Sequence, residues 1–218
     1  MVTSNLEIMM SKGFKRKEEI INAITHGIGA LLAIAGLVIL VVFSSLEGTP
    51  WHITSFAVFG SALVLVYTIS TLYHGFSGSR LKTLFRKFDH MAIFLLIAGT
   101  YTPFCLTVLN GWIGWTLFGL VWACAVAGII LKVFSTGRYE VLSTSLYVAM
   151  GWLVVLFIKP LYSAISIESF ILLITGGAFY SIGVFFFAKD RVKYFHGIWH
   201  MFVLAGSVFH FFSVLTLL

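Results

Sequence analysis

Near the end of the chain, His196 and His200 stand four residues apart in the stretch His196-Gly-Ile-Trp-His200. On a helix this spacing puts both imidazoles on one face, one turn apart, within reach of a single metal ion. The stretch opens an apolar run, Ile198 to Leu218, long enough to cross a bilayer. Ionisable side chains inside membrane segments are costly, and so they mark candidate functional sites. An HxxxH pair alone fits a packed pair of histidines equally well. What decides between the two readings is which other groups lie at the same depth.

Three further apolar segments bring polar side chains to that depth. One ends in Ser70-Thr-Leu-Tyr-His74, another begins with Asp89-His90, and the first begins with Glu19, Asn22 and His26 at helical spacing. The combination points to a zinc site. His74, His196 and His200 supply three neutral nitrogen ligands and leave the fourth position to water, the arrangement of catalytic rather than structural zinc. Asp89 is then the candidate general base, and Ser70 a partner for a ligand or the water. Glu19, Asn22 and His26 are candidates for supporting the ligands from behind.

Each residue also has a plainer reading. Asp89 could complement the dipole at a helix start, and Glu19 and Asn22 could cap the first helix. Ser70 could bond its own backbone four residues back, and His26 could hydrogen-bond across helices. His90 lies about 100° around the helix from Asp89, which places Asp89 inward. His210 is about 15 Å further along its helix than His200, too far to join. His52 reads as an exposed loop histidine, and the Phe, Trp and Tyr residues as lipid-facing or interfacial.

The elements that must hold these groups are membrane spans. The 218 residues are 60% hydrophobic and only 10% charged, with a mean hydropathy of +1.03. That composition fits a polytopic membrane protein and no soluble class. Seven apolar runs are predicted as helices, at about 19–43, 53–74, 89–109, 112–134, 141–158, 170–188 and 196–218. The fold class is therefore all-α, a seven-transmembrane-helix bundle. Residues 1–18 form a basic cytoplasmic tail, and residues 19–218 form a single transmembrane domain. No cleavable signal pattern precedes the first run.

Thirteen of the fourteen Lys and Arg residues fall on one side of the runs, with only Lys159 on the other. The positive-inside rule then predicts a cytoplasmic N-terminus and an external C-terminus. The net charge of +6 is a topology signal, and no nucleic-acid partner is expected. Pro103 should kink the third span. Gly29, Ala33 and Gly36 suggest a face for close helix contact. Cys105 and Cys124 lie in apolar runs and read as free thiols.

The same residues carry a family likeness. Asn22-Ala-Ile-Thr-His26-Gly, Ser70-x-x-x-His74, Phe88-Asp89-His90, Ala98-Gly-Thr-Tyr-Thr-Pro103 and His196-x-x-x-His200 together resemble the bacterial hemolysin III proteins. These belong to the progestin and adipoQ receptor superfamily, which is related to the alkaline ceramidases. The resemblance covers Glu19 to Leu218. It implies a seven-helix bundle in the bacterial inner membrane, with its N-terminus inside. It also implies zinc held by the residues matching His74, His196 and His200, with Ser70 and Asp89 beside it, and hydrolysis of a lipid amide or ester. The hemolysin name implies cytolysis by pore formation, a toxin-like activity. A non-catalytic regulator of membrane lipid homeostasis with structural zinc is a third reading. Membrane lipid, as substrate or surroundings, is the expected partner in all three; the oligomeric state is open.

Overall fold

The computed structural model describes the backbone of residues 2–218 and the side chains of residues 16–218 other than Ser79. Met1 and the side chains of the tail before Arg16 lie outside the described residues. Every regular element among the described residues is helical, as lipid requires, since a helix satisfies its own backbone groups where water is absent. The α-helices are α1 (Val2–Glu47), α2 (Pro50–Gly75), α3 (Ser79–Pro103), α4 (Gly111–Ser135), α5 (Glu140–Trp152), α6 (Ile158–Ala164), α7 (Ile167–Ala188) and α8 (Phe195–Leu215). A π-helical turn, Phe104–Val108, extends α3, and a 3-10 turn, Leu153–Phe157, joins α5 to α6. The result is seven helical stretches long and apolar enough to span a membrane. The sequence points to this all-α class and this number of spans.

The boundaries differ from expectation at the basic end. Helix α1 runs unbroken from Val2 through the stretch read as a tail, and α3 begins at Ser79, not near Asp89. The basic residues Arg80 to Lys87 are thus helical rather than part of a loop. Hydropathy marks where hydrocarbon ends, whereas a helix continues beyond it, with long basic side chains reaching out of its flank. This changes the reading of three polar residues. Glu19, Asn22 and Asp89 all sit well inside helices, where no free backbone N–H awaits a cap.

Two spans are broken by proline. Pro103 lacks the N–H that would continue α3, and the π-turn follows directly. In the fifth span the 3-10 turn precedes Pro160, and Tyr101 enters the gap. Its hydroxyl donates to the Met150 and Gly151 carbonyls, at 2.9 and 2.8 Å, and accepts from Val154 N–H at 3.0 Å. The phenolic hydroxyl thereby stands in for the Val154-to-Met150 ladder bond. Tyr67, Tyr101 and Tyr147 are buried, which corrects the expectation that the aromatic residues face lipid. Tyr147 donates to the His90 carbonyl at 2.8 Å, and Tyr67 donates to Ser207 Oγ at 2.7 Å. A hydroxyl buried in a membrane bundle has no water to turn to and so finds a partner.

Close helix contact occurs where the small residues suggested it. A Cβ on Gly29 would lie 2.6 Å from the Tyr67 ring, and one on Gly36 would lie 3.2 Å from Phe211. Glycine at position 29 is what lets the Tyr67 ring lie flat against α1. Cys105 and Cys124 are free thiols. His52 is not a loop residue. It sits in the first turn of α2, where Nδ1 accepts from Thr49 N–H at 3.2 Å.

The reversal between α4 and α5 carries a second polar cluster. Gly137 takes a φ of 87°, a left-handed conformation that suits glycine. The turn brings Lys132, fully buried, against Glu140, with Nζ 2.7 Å from Oε2. Gly137 N–H donates to the other carboxylate oxygen at 2.9 Å. His90 Nδ1 and Arg86 Nη2 approach Glu140 at 3.5 and 3.7 Å. Read from the sequence, Lys132 is a basic residue at the edge of the fourth span. In the structure it holds Glu140, whose carboxylate ties α3, α4 and α5 together.

Candidate functional site

Up-and-down topology puts the start of α1, the end of α2 and the starts of α3 and α8 at one end of the bundle. Their polar residues meet there. His74, His196 and His200 offer ring nitrogens that all lie within 4.8 Å of one another. One tetrahedral ion holds two nitrogens roughly 3.4 Å apart, so the rings have at most about an ångström and a half to close. His74 and His200 are buried, and His196 is half-buried. His74 Nε2, His196 Nε2 and His200 Nδ1 make no hydrogen bond in the protein. Three imidazoles with buried, uncommitted nitrogens suit a metal ion, because an unpaired buried polar group is otherwise costly.

The tautomer of one of them is fixed. His74 Nδ1 donates to Glu19 Oε2 at 2.8 Å, leaving the lone pair of Nε2 free for a ligand. The same carboxylate oxygen lies 2.8 Å from Lys82 Nζ. Glu19 thus orients His74, while Lys82 holds Glu19. From the sequence alone, Lys82 reads as a loop charge. The early start of α3 is what brings it to the site. Replacing Glu19 with Gln should weaken metal binding roughly 10- to 100-fold, as measured by competition with a chelator. Unchanged affinity would show that His74 needs no such support.

Next to the three histidines lies an elongated cavity of about 290 Å³. Ser70, Asp89, His196 and His200 line one end, and Phe104, Leu109 and Leu117 the other. Ser70 is buried beside Asp89. Asp89 lines the cavity, where it can meet a ligand. His90 also lines the cavity, with Nδ1 directed toward Glu140 and not toward the three histidines. His26 stacks on His200, with centroids 3.5 Å apart and an interplanar angle of 15°. Asn22 is buried, and its Oδ1 has no partner. His210 sits farther along α8, with Nε2 3.1 Å from the Leu173 carbonyl.

One residue outside the earlier reading holds the second histidine-bearing helix. Glu18 Oε1 accepts from Tyr194 N–H at 2.6 Å. Tyr194 takes a left-handed φ of 66° as α8 begins, two residues before His196. A single carboxylate next to Glu19 carries no motif, and only the fold reveals its partner.

Fold and site together define a class: a polytopic membrane protein of seven helices with a cluster of three histidines, able to hold a metal ion, at the basic end of its bundle. Comparison with known proteins narrows this. The chain belongs to the haemolysin-III-related family, whose model matches residues 14–211. It is 48% identical over 199 residues to "Hemolysin-3" of Bacillus cereus, covering 91% of each chain. It is also 48% identical to the "Hemolysin-3 homolog" of Bacillus subtilis strain 168 over 202 residues, 93% of this chain and 95% of the relative. A more distant relative is the human "Monocyte to macrophage differentiation factor", 27% identical over 203 residues, 90% of this chain and 83% of the relative. No solved structure gives a significant match. The resemblance seen in the motifs thus extends over most of the chain, and with seven apolar helices the protein is a multi-pass bacterial membrane protein.

Proposed function

We propose that the chain is a zinc-dependent hydrolase of a lipid amide or ester bond. The observation that carries this reading is the convergence of three uncommitted histidine nitrogens at the polar end of an apolar cavity that Asp89 and Ser70 also line. An all-imidazole set with no thiolate suits zinc, and three protein ligands leave a position open. Zinc bound there would supply Lewis acidity and an acidified water.

The chain's own residues do the rest. His74, His196 and His200 hold the ion, and Glu19 and Lys82 hold His74. Asp89 takes a proton from the attacking water and returns it to the leaving amine or alcohol. Ser70 Oγ, beside Asp89, hydrogen-bonds the water or the reacting carbonyl. The apolar walls hold an acyl chain and exclude bulk water. Val148, Trp152 and Ile174 line the cavity and are also exposed on the outer surface of α5 and α7, so a lipid can enter sideways from the bilayer. With the basic end in the cytoplasm, as the positive-inside rule predicts, the reaction takes place at the inner leaflet.

The names of the bacterial relatives favour a second reading, in which the protein lyses cells directly. The buried, half-closed cavity does not serve a conducting pore, and lysis then follows from the products of hydrolysis. The test uses purified, metal-loaded protein with a panel of ceramides, other long-chain amides and phospholipid esters. Release of fatty acid that disappears in His74→Ala supports the proposal. Discrete conductance in plain lipid bilayers, with every lipid left uncleaved, supports the lytic reading.

A further inference from the structure

His26 is the most constrained side chain near the site, and the mechanism above does not use it. It is buried, 4% exposed, and neither ring nitrogen makes a hydrogen bond. One face of its ring stacks on His200. The ring also meets Tyr67 edge-on, with centroids 5.1 Å apart at 90°. Tyr67 cannot yield, because its hydroxyl is bonded to Ser207 Oγ and the Val203 carbonyl and its ring fills the space that Gly29 leaves open. His26 is therefore held between Tyr67 and His200. Whether neutral or charged, an imidazole carries at least one N–H, and burying it unpaired costs free energy. The same ring lines the cavity beside Ser70, Asp89 and His200. The cavity is therefore where its N–H can meet a ligand.

Building on the hydrolase reading, we propose that His26 donates a hydrogen bond to the carbonyl oxygen of the bound acyl group, so that it selects lipids carrying an uncharged amide or ester close to the three histidines. Stacking on His200 then has a purpose: it couples the orientation of the carbonyl's partner to that of a metal ligand. A free hydrocarbon or an ether lipid would leave the N–H unpaired and bind less well.

The test compares native protein with His26→Phe, which keeps a ring for the stack but has no N–H, and His26→Gln, which keeps a donor. The probe is a dansyl-labelled long-chain acyl amide, with binding followed by energy transfer from tryptophan. Metal is followed separately by the visible spectrum of the cobalt-loaded protein. The expected pattern is native metal binding in both variants, probe affinity about tenfold weaker in the Phe variant, and near-native probe affinity in the Gln variant, tenfold being roughly the worth of one hydrogen bond. Equal affinity in native and Phe proteins overturns the assignment of His26 alone. A Phe variant that binds no cobalt also overturns it, since His26 then serves the metal directly. Native protein that binds cobalt but no acyl amide overturns the hydrolase reading and this proposal together.

Discussion

Replacing Asp89 with Asn is expected to lower turnover by at least 100-fold while leaving the metal content unchanged. The carboxylate lies inside α3 and lines the cavity with Ser70, His196 and His200. Because it is not at a helix start, it has no capping role to account for its presence. Asn has the same size and keeps the cavity's shape, but it cannot accept a proton. General-base catalysis is worth about 10²- to 10⁴-fold, which sets the expected loss. Two measurements on the same preparation separate the cases: turnover on a lipid cleaved by the native protein, and zinc per chain. Full turnover in the variant would remove Asp89 as the base. Lost zinc would make it a ligand instead.

Replacing Glu140 with Ala should be the most destabilising single change at the basic end, costing about 3–5 kcal/mol. The change leaves Lys132, which is fully buried, as an uncompensated charge between α4 and α5. Lys132→Met should cost less. Glu140 is partly exposed and keeps Arg86 and His90 close by, so solvent and those partners absorb its charge. The double variant, Glu140→Ala with Lys132→Met, should be more stable than Glu140→Ala alone, because no charge is left buried. Thermal unfolding in detergent would show this as a drop on the order of 10 °C for Glu140→Ala, largely recovered in the double variant. If the double variant is as unstable as Glu140→Ala, the cost lies in packing rather than in the stranded lysine.

The parts of this molecule that were legible in the sequence depend on period and composition. Apolar runs of membrane length mark the seven spans, and one-sided Lys and Arg mark the end at which His74, His196 and His200 meet. Four-residue spacing puts His196 and His200 on one face. These are local signals, and the structure brings the three histidines together. What was not legible depends on partners distant in sequence. Lys82 reads as a loop charge until α3 is seen to start at Ser79. Lys132 reads as a basic residue at a span edge until the Gly137 turn sets it against Glu140. Tyr101 reads as lipid-facing until it fills the broken ladder of the fifth span. Hydropathy cannot place a helix end that extends beyond the hydrocarbon, and it cannot reveal a hydrogen bond between two helices. The functional weight of Glu18, Glu19 and His26 likewise depends on contacts that only the packed bundle makes.

The most direct test of the account is metal content. Protein purified in mild detergent without added chelator should carry about one zinc per chain, and His74→Ala, His196→Ala and His200→Ala should each lose it while remaining helical by circular dichroism. Native protein that is folded and free of zinc even after exposure to the ion, or zinc retained in all three variants, would contradict the central claim and leave the three histidines as a hydrogen-bonding cluster.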